Sequence, residues 1–173
     1  MAIVNNGYLI GRIYFPRVLL PLTAIAAACV DAVCMIPVMI VCLFWYGHTP
    51  SIGLLALPPM LLLAAATVLG MSLWLGALHA SYRDIGQLLP FVVQIWMFAS
   101  PVIYPVSLLP AKYAMLYALN PLVVVIQTSR WAFCSGVPPH MGMVAAACGV
   151  AGVLCTTGLW FFRRSESTFS DIV

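Results

Sequence analysis

Three long apolar runs decide what this chain can become. Residues 18–46 and 52–78 are separated only by GHTPS, and residues 142–162 form a run of 21 without a charged side chain. A helix that crosses a hydrocarbon core of about 30 Å needs roughly 20 apolar residues, so each run is long enough to span a bilayer. Composition closes the alternatives. The chain is 64% hydrophobic and 6% charged, whereas a soluble domain carries about 25% charged residues. Seven Lys or Arg and four Asp or Glu cannot cover a soluble surface of 173 residues. The mean hydropathy of +1.10 agrees. A soluble enzyme, a disordered tail and a free nucleic-acid binder are excluded. An all-α, multi-pass integral membrane protein remains, with room for at most about six spans.

The placement of charge indicates how the chain threads the membrane. Arg12 and Arg17 precede the first run, Arg83 and Asp84 lie between the second and third, and Arg163 and Arg164 follow the last. A third apolar run opens at Leu88 and is broken by Pro101, Pro105 and Pro110. Asn120 followed by Pro121 reads as a helix start, with Asn as cap and Pro in the first turn. Two helices are expected here, near 111–119 and 121–133, and at 1.5 Å per residue they reach roughly 13 and 20 Å. Neither crosses a core of about 30 Å. A re-entrant hairpin over 107–140 fits better, since such backbone is tolerated where it is buried in protein or lines a wet cavity. The expected spans are 18–46, 52–78, 88–106 and 142–162, with a cytoplasmic segment at 1–17 and a cytoplasmic tail at 163–173. Both termini then share the side that holds most of the arginines, as the positive-inside rule requires. The stretch Ala24–Cys29 has the look of a signal-peptide cleavage site, but the apolar run continues to Tyr46, too long for a signal segment.

Catalytic signatures are missing. There is no GxxxxGK[ST] phosphate loop, no HExxH and no GxSxG. His48, His79 and His140 are isolated at the expected membrane edges. The six cysteines (29, 34, 42, 134, 148 and 155) show no metal-ligand spacing and read as small apolar residues. Asp31 lies in the middle of a span, where a carboxyl is expensive; it reads equally as a structural polar contact or as part of a transport path. Small residues recur four apart at Ala66 and Gly70, at Ala145 and Gly149, and at Cys148, Gly152 and Thr156. They allow close helix approach, either within the chain or across a homodimer seam. GRIYFPR (11–17) and SYRDIGQ (81–87) read either as orientation anchors or as short segments that dock on a partner.

These last segments carry a resemblance. VNNGYLIGRIYFPRVLLPL resembles the cytoplasmic loop and third span of ABC-2 type permeases, the membrane subunits of exporters for O-antigen, teichoic acid and related polysaccharides. SYRDIGQLLPFVVQIWMFASPVIYPVSLLP resembles the later loop and fifth span of that family. ALNPLVVVIQTSRWAF and LWFFRRSESTFSDIV are similar to its re-entrant region and C-terminus. The likeness covers nearly the whole chain in order. The family's N-terminal amphipathic helix and first two spans have no counterpart, as expected of a misassigned start or of a split or truncated gene.

The resemblance implies a homodimer of permeases working with two ABC ATPase subunits, which bind ATP and Mg; the permease itself holds no cofactor and no metal and has no catalytic residue. Arg12, Tyr14, Phe15, Pro16 and Arg17 would form one ATPase-coupling segment, and Tyr82, Arg83 and Asp84 a second. The translocation path and outer gate would be built from Asp31, Trp96, Phe98, Pro101, Tyr104, Pro105, Asn120, Pro121 and Trp131, because aromatic rings stack on apolar sugar faces. The implied function is export of a lipid-linked polysaccharide or related glycolipid across the bacterial cytoplasmic (inner) membrane. Two alternatives stand beside it: an inactive or unstable fragment of such a permease, and a small integral membrane enzyme acting on lipid-linked sugars.

Overall fold

A computed structural model describes residues 19–47, 52–82, 84–102, 117, 119–134 and 137–169. Among them every regular element is helical: α1 (Leu19–Trp45), a 3-10 turn (Ile52–Ala56), α2 (Leu57–Ser81), α3 (Ile85–Ala99), α4 (Pro121–Cys134) and α5 (Met141–Phe169). The protein is an all-α membrane protein. The stretches Pro21–Trp45, Ile52–His79 and Met141–Ser165 are long and apolar enough to cross a bilayer.

The exposed surface follows from that environment. On α1, Val30, Met35, Val41 and Phe44 all project outward, each more than half exposed. Water would penalise such a surface; lipid tails do not, because they are as apolar as the side chains. Pro37 lies inside α1. Gly47 follows the helix with φ 73°, a left-handed conformation that only glycine adopts without cost. Pro58 and Pro59 stand in the first turn of α2, where a missing N–H breaks no helix bond.

The packing centre is the crossing of α2 and α5, with α4 laid against both. Leu63 of α2, Val124 of α4 and Ala147 and Ala151 of α5 form one buried cluster. Leu73 and Ala77 of α2 and Phe162 of α5 form the other. With no hydrophobic drive between helices in lipid, such contacts rely on close approach and on satisfied polar groups. Close approach is supplied by Gly70 and Gly158. A Cβ on Gly70 would lie 2.7 Å from the Leu154 carbonyl carbon and 2.8 Å from the Cys155 nitrogen. The buried hydroxyls of Thr67 and Thr128 donate to the carbonyls of Leu63 and Val124, both at 2.8 Å, so neither is orphaned.

The small-residue stripes divide between two outcomes. Ala66 and Gly70 face α5, and the Cys155 thiol donates to the Ala66 carbonyl at 2.9 Å. On α5 the buried stripe is Ala147, Ala151, Gly158 and Phe162, while Ala145, Cys148, Gly149, Gly152 and Thr156 are exposed. Both faces of α5 carry small residues, so spacing alone cannot say which one meets α2. Two boundaries also differ from expectation. Helix α5 continues through RRSESTF to Phe169, and α3 is a 15-residue helix, roughly 22 Å long, that starts before Leu88 and ends before Pro101.

Candidate functional site

Two structured corners, one at each end of α3, collect most of the described candidate residues. At the first, α2 turns into α3 within three residues. The Tyr82 N–H donates to the Leu78 carbonyl at 2.8 Å, that of Ile85 to the Tyr82 carbonyl at 3.2 Å, and that of Gln87 to the Asp84 carbonyl at 3.1 Å. Tyr82 and Asp84 stand exposed on the outside of this turn. Inside it, the His79 imidazole points its Cε1 edge at Gly86, which is buried. A Cβ at 86 would meet Cε1 of the ring and would lie 3.1 Å from Nδ1 and 3.3 Å from Nε2. The Nδ1 atom is buried with no hydrogen-bond partner among the described residues.

The second corner joins the end of α3 to α4. Asn120 caps α4: its Oδ1 accepts the Leu122 N–H at 3.2 Å, as the Asn–Pro pair dictates. The Asn120 amide also donates to the Ser100 hydroxyl at 2.9 Å. Further along α4, Arg130 donates to the Val102 carbonyl at 2.9 Å. Residues 100–102 are thereby bound to α4 at two points. Pro101 and Pro121 are both fully buried there. With 14 residues α4 measures roughly 21 Å, too short to cross the membrane.

Between the corners α2, α3 and α4 leave an open cleft of about 430 Å³, lined by Thr67, Met71 and Leu75 of α2, Val92, Trp96 and Met97 of α3, and Leu122 and Ile126 of α4. Its few hydroxyls are already engaged: Thr67 with the Leu63 carbonyl, Ser72 with that of Leu69, and Ser100 with Asn120. A second cleft of about 240 Å³ lies between α1, α2 and α4, with Ala32, Met35 and Met60 in its wall.

The candidate residues separate accordingly. Trp96 lines the larger cleft. Pro101, Asn120 and Pro121 gather at one end of it. Phe98 points outward, 53% exposed. Trp131 is half-buried on α4 and Asp31 is exposed on α1; neither lines the cleft. Arg12, Tyr14, Phe15, Pro16, Arg17, Arg83, Tyr104 and Pro105 lie outside the described residues, as does nearly all of the expected helix at 111–119. Among the described residues no three of His, Cys, Asp and Glu come together. Sequence reasoning missed the His79–Gly86 contact and the role of Ser100. The signal for the first was a glycine seven residues after a histidine across a tight helical corner.

Known proteins match this chain along its length. The profile of the ABC-2 type transporter family matches residues 12–134. An O-antigen export system permease protein, RfbA, of Klebsiella pneumoniae is 24% identical over 173 residues, covering 99% of this chain and 66% of the relative. RfbA of Myxococcus xanthus is 25% identical over 174 residues, covering 99% of this chain and 67% of the relative. The chain thus spans about two thirds of the length of these relatives.

Proposed function

The chain belongs to the ABC-2 type transporter family, and on that premise we propose that it is the permease subunit of an exporter that moves a lipid-linked polysaccharide or related glycolipid across the bacterial cytoplasmic membrane. A separate ATPase subunit, binding ATP and Mg, drives the movement. The permease acts as a homodimer with both termini in the cytoplasm.

The observation that carries this reading is the likeness to O-antigen export permeases over 99% of the chain. The geometry supports it. In this reading the α2–α3 corner, with Tyr82 and Asp84 outward, is a knob for the soluble ATPase, since an aromatic beside charged groups suits a groove on a partner. The segment holding Arg12, Tyr14, Phe15, Pro16 and Arg17 is a second contact. At the opposite end of α3, Pro101, Asn120 and Pro121 belong to the outer gate, and this reading assigns Tyr104 and Pro105 to the same gate. Trp96 offers a ring to passing sugar; Asp31, Phe98 and Trp131 are further contributors to the path.

Replacing Arg83 and Asp84 together by alanine tests the coupling role. The reading expects normal amounts of permease in the membrane with export lost. Undiminished export by that variant would refute it.

A further inference from the structure

The two ends of α3 are held and its middle is not. Beyond their shared corner α2 and α3 touch little, and the cleft lies open between them. Along α3 the side chains of Leu88, Phe91, Ile95 and Phe98 are exposed, whereas Gly86 is buried. At its far end, Asn120 holds Ser100 and Arg130 holds Val102. A helix braced in this way moves as a lever, provided the first corner is stiff. At that corner the His79 ring is seated against Gly86, in the space that a Cβ at 86 would enter.

We infer that His79 is the positioning residue that locks the α2–α3 corner to α3, so that displacement of the exposed Tyr82–Asp84 turn is carried to Ser100 and Val102 and from there to α4. This deepens the proposed function and rests on it: the displacement is the one the ATPase imposes. Without the ring in its seat, a push on the turn bends the corner and leaves α3 where it was. A bistable or rigid element between two sites is what physical coupling requires. The seat explains why glycine stands at the second position of α3. Alanine is a better helix former, yet its methyl would expel the ring.

The test uses the full chain expressed with its ATPase subunit, comparing wild type, Gly86→Ala, His79→Ala and the double variant. Four quantities are read: permease in the membrane, ATPase co-purified, ATP hydrolysed and glycan exported. Gly86→Ala should keep its ATPase and hydrolyse ATP while export falls about tenfold, a size typical of coupling between touching residues. The double variant should lose no more than His79→Ala alone, because with the ring already gone the methyl has nothing left to displace. Full export by Gly86→Ala overturns the inference, and so does a double variant whose losses simply add. Where Gly86→Ala lowers the amount of protein, His79→Ala carries the test: it creates no clash and must export less glycan per ATP hydrolysed. An unchanged ratio in that variant overturns the inference. A wild-type chain that binds no ATPase and exports nothing overturns the function reading and the lever with it; the same four chains compared by melting temperature then still report whether ring and glycine are coupled.

Discussion

A methyl group on Gly158 would lie 2.7 Å from the Gly70 carbonyl oxygen, so α2 and α5 meet backbone to backbone at the centre of the bundle. Around this seam the ring of Trp74 stacks on Phe161 with centroids 4.5 Å apart. The Trp74 indole N–H donates to the Thr157 hydroxyl at 3.1 Å, and that hydroxyl donates to the Val153 carbonyl at 2.6 Å. Close approach and a satisfied polar chain occur together, as helix association in lipid requires.

Gly158→Val and Gly70→Val should therefore each separate the two helices. Overpacking of this kind costs about 1–3 kcal/mol. The check is the melting temperature of the purified protein in mild detergent. Gly152→Ala is the control: nothing lies within 4 Å of a Cβ there, so its melting temperature should match that of wild type.

Asn120 performs two tasks, capping α4 and holding Ser100. Asn120→Ala should lose about 1 kcal/mol of stability from the cap alone. Asn120→Asp keeps an acceptor for the Leu122 N–H and should retain most of the cap. Ser100→Ala removes only the bond between α3 and α4. A double-mutant cycle on Asn120 and Ser100, read by chemical denaturation in detergent, should show less than additive losses.

Much of this architecture is legible before any coordinates. The three spans follow from long apolar runs, and the α4 start follows from Asn120 and Pro121, whose local chemistry admits few other conformations. What the residues left open has physical causes. The stripe of Cys148, Gly152 and Thr156 has the spacing of a packing face within the chain or of a homodimer seam; within the chain α5 turns its other small-residue face, with Ala151 and Gly158, toward α2. Small residues on both faces remove the contrast on which periodicity depends. His79 reads as a polar residue at a membrane edge because its partner is a glycine, and a contact with bare backbone leaves no mark in residue chemistry. Trp96 and Phe98 are indistinguishable in sequence; two residues apart on α3, they face in different directions.

That divergence yields a functional prediction. Trp96 lines the cleft and Phe98 does not. Trp96→Ala should reduce glycan at the cell surface by about tenfold, the order of one base stacked on an aromatic ring. Trp96→Phe should keep most of the activity, and Phe98→Ala should cost less than Trp96→Ala. Surface glycan measured at equal permease levels decides the order of the three.

The central claim is that this chain works as the membrane half of an ATP-driven exporter. Affinity purification of the tagged chain from native membranes in mild detergent, with mass spectrometry of what accompanies it, tests that claim most directly. The account predicts a stoichiometric soluble subunit bearing a phosphate-loop motif, released when Arg83 and Asp84 are replaced. A stable, well-folded preparation of the unmodified chain that carries no such ATPase would contradict it.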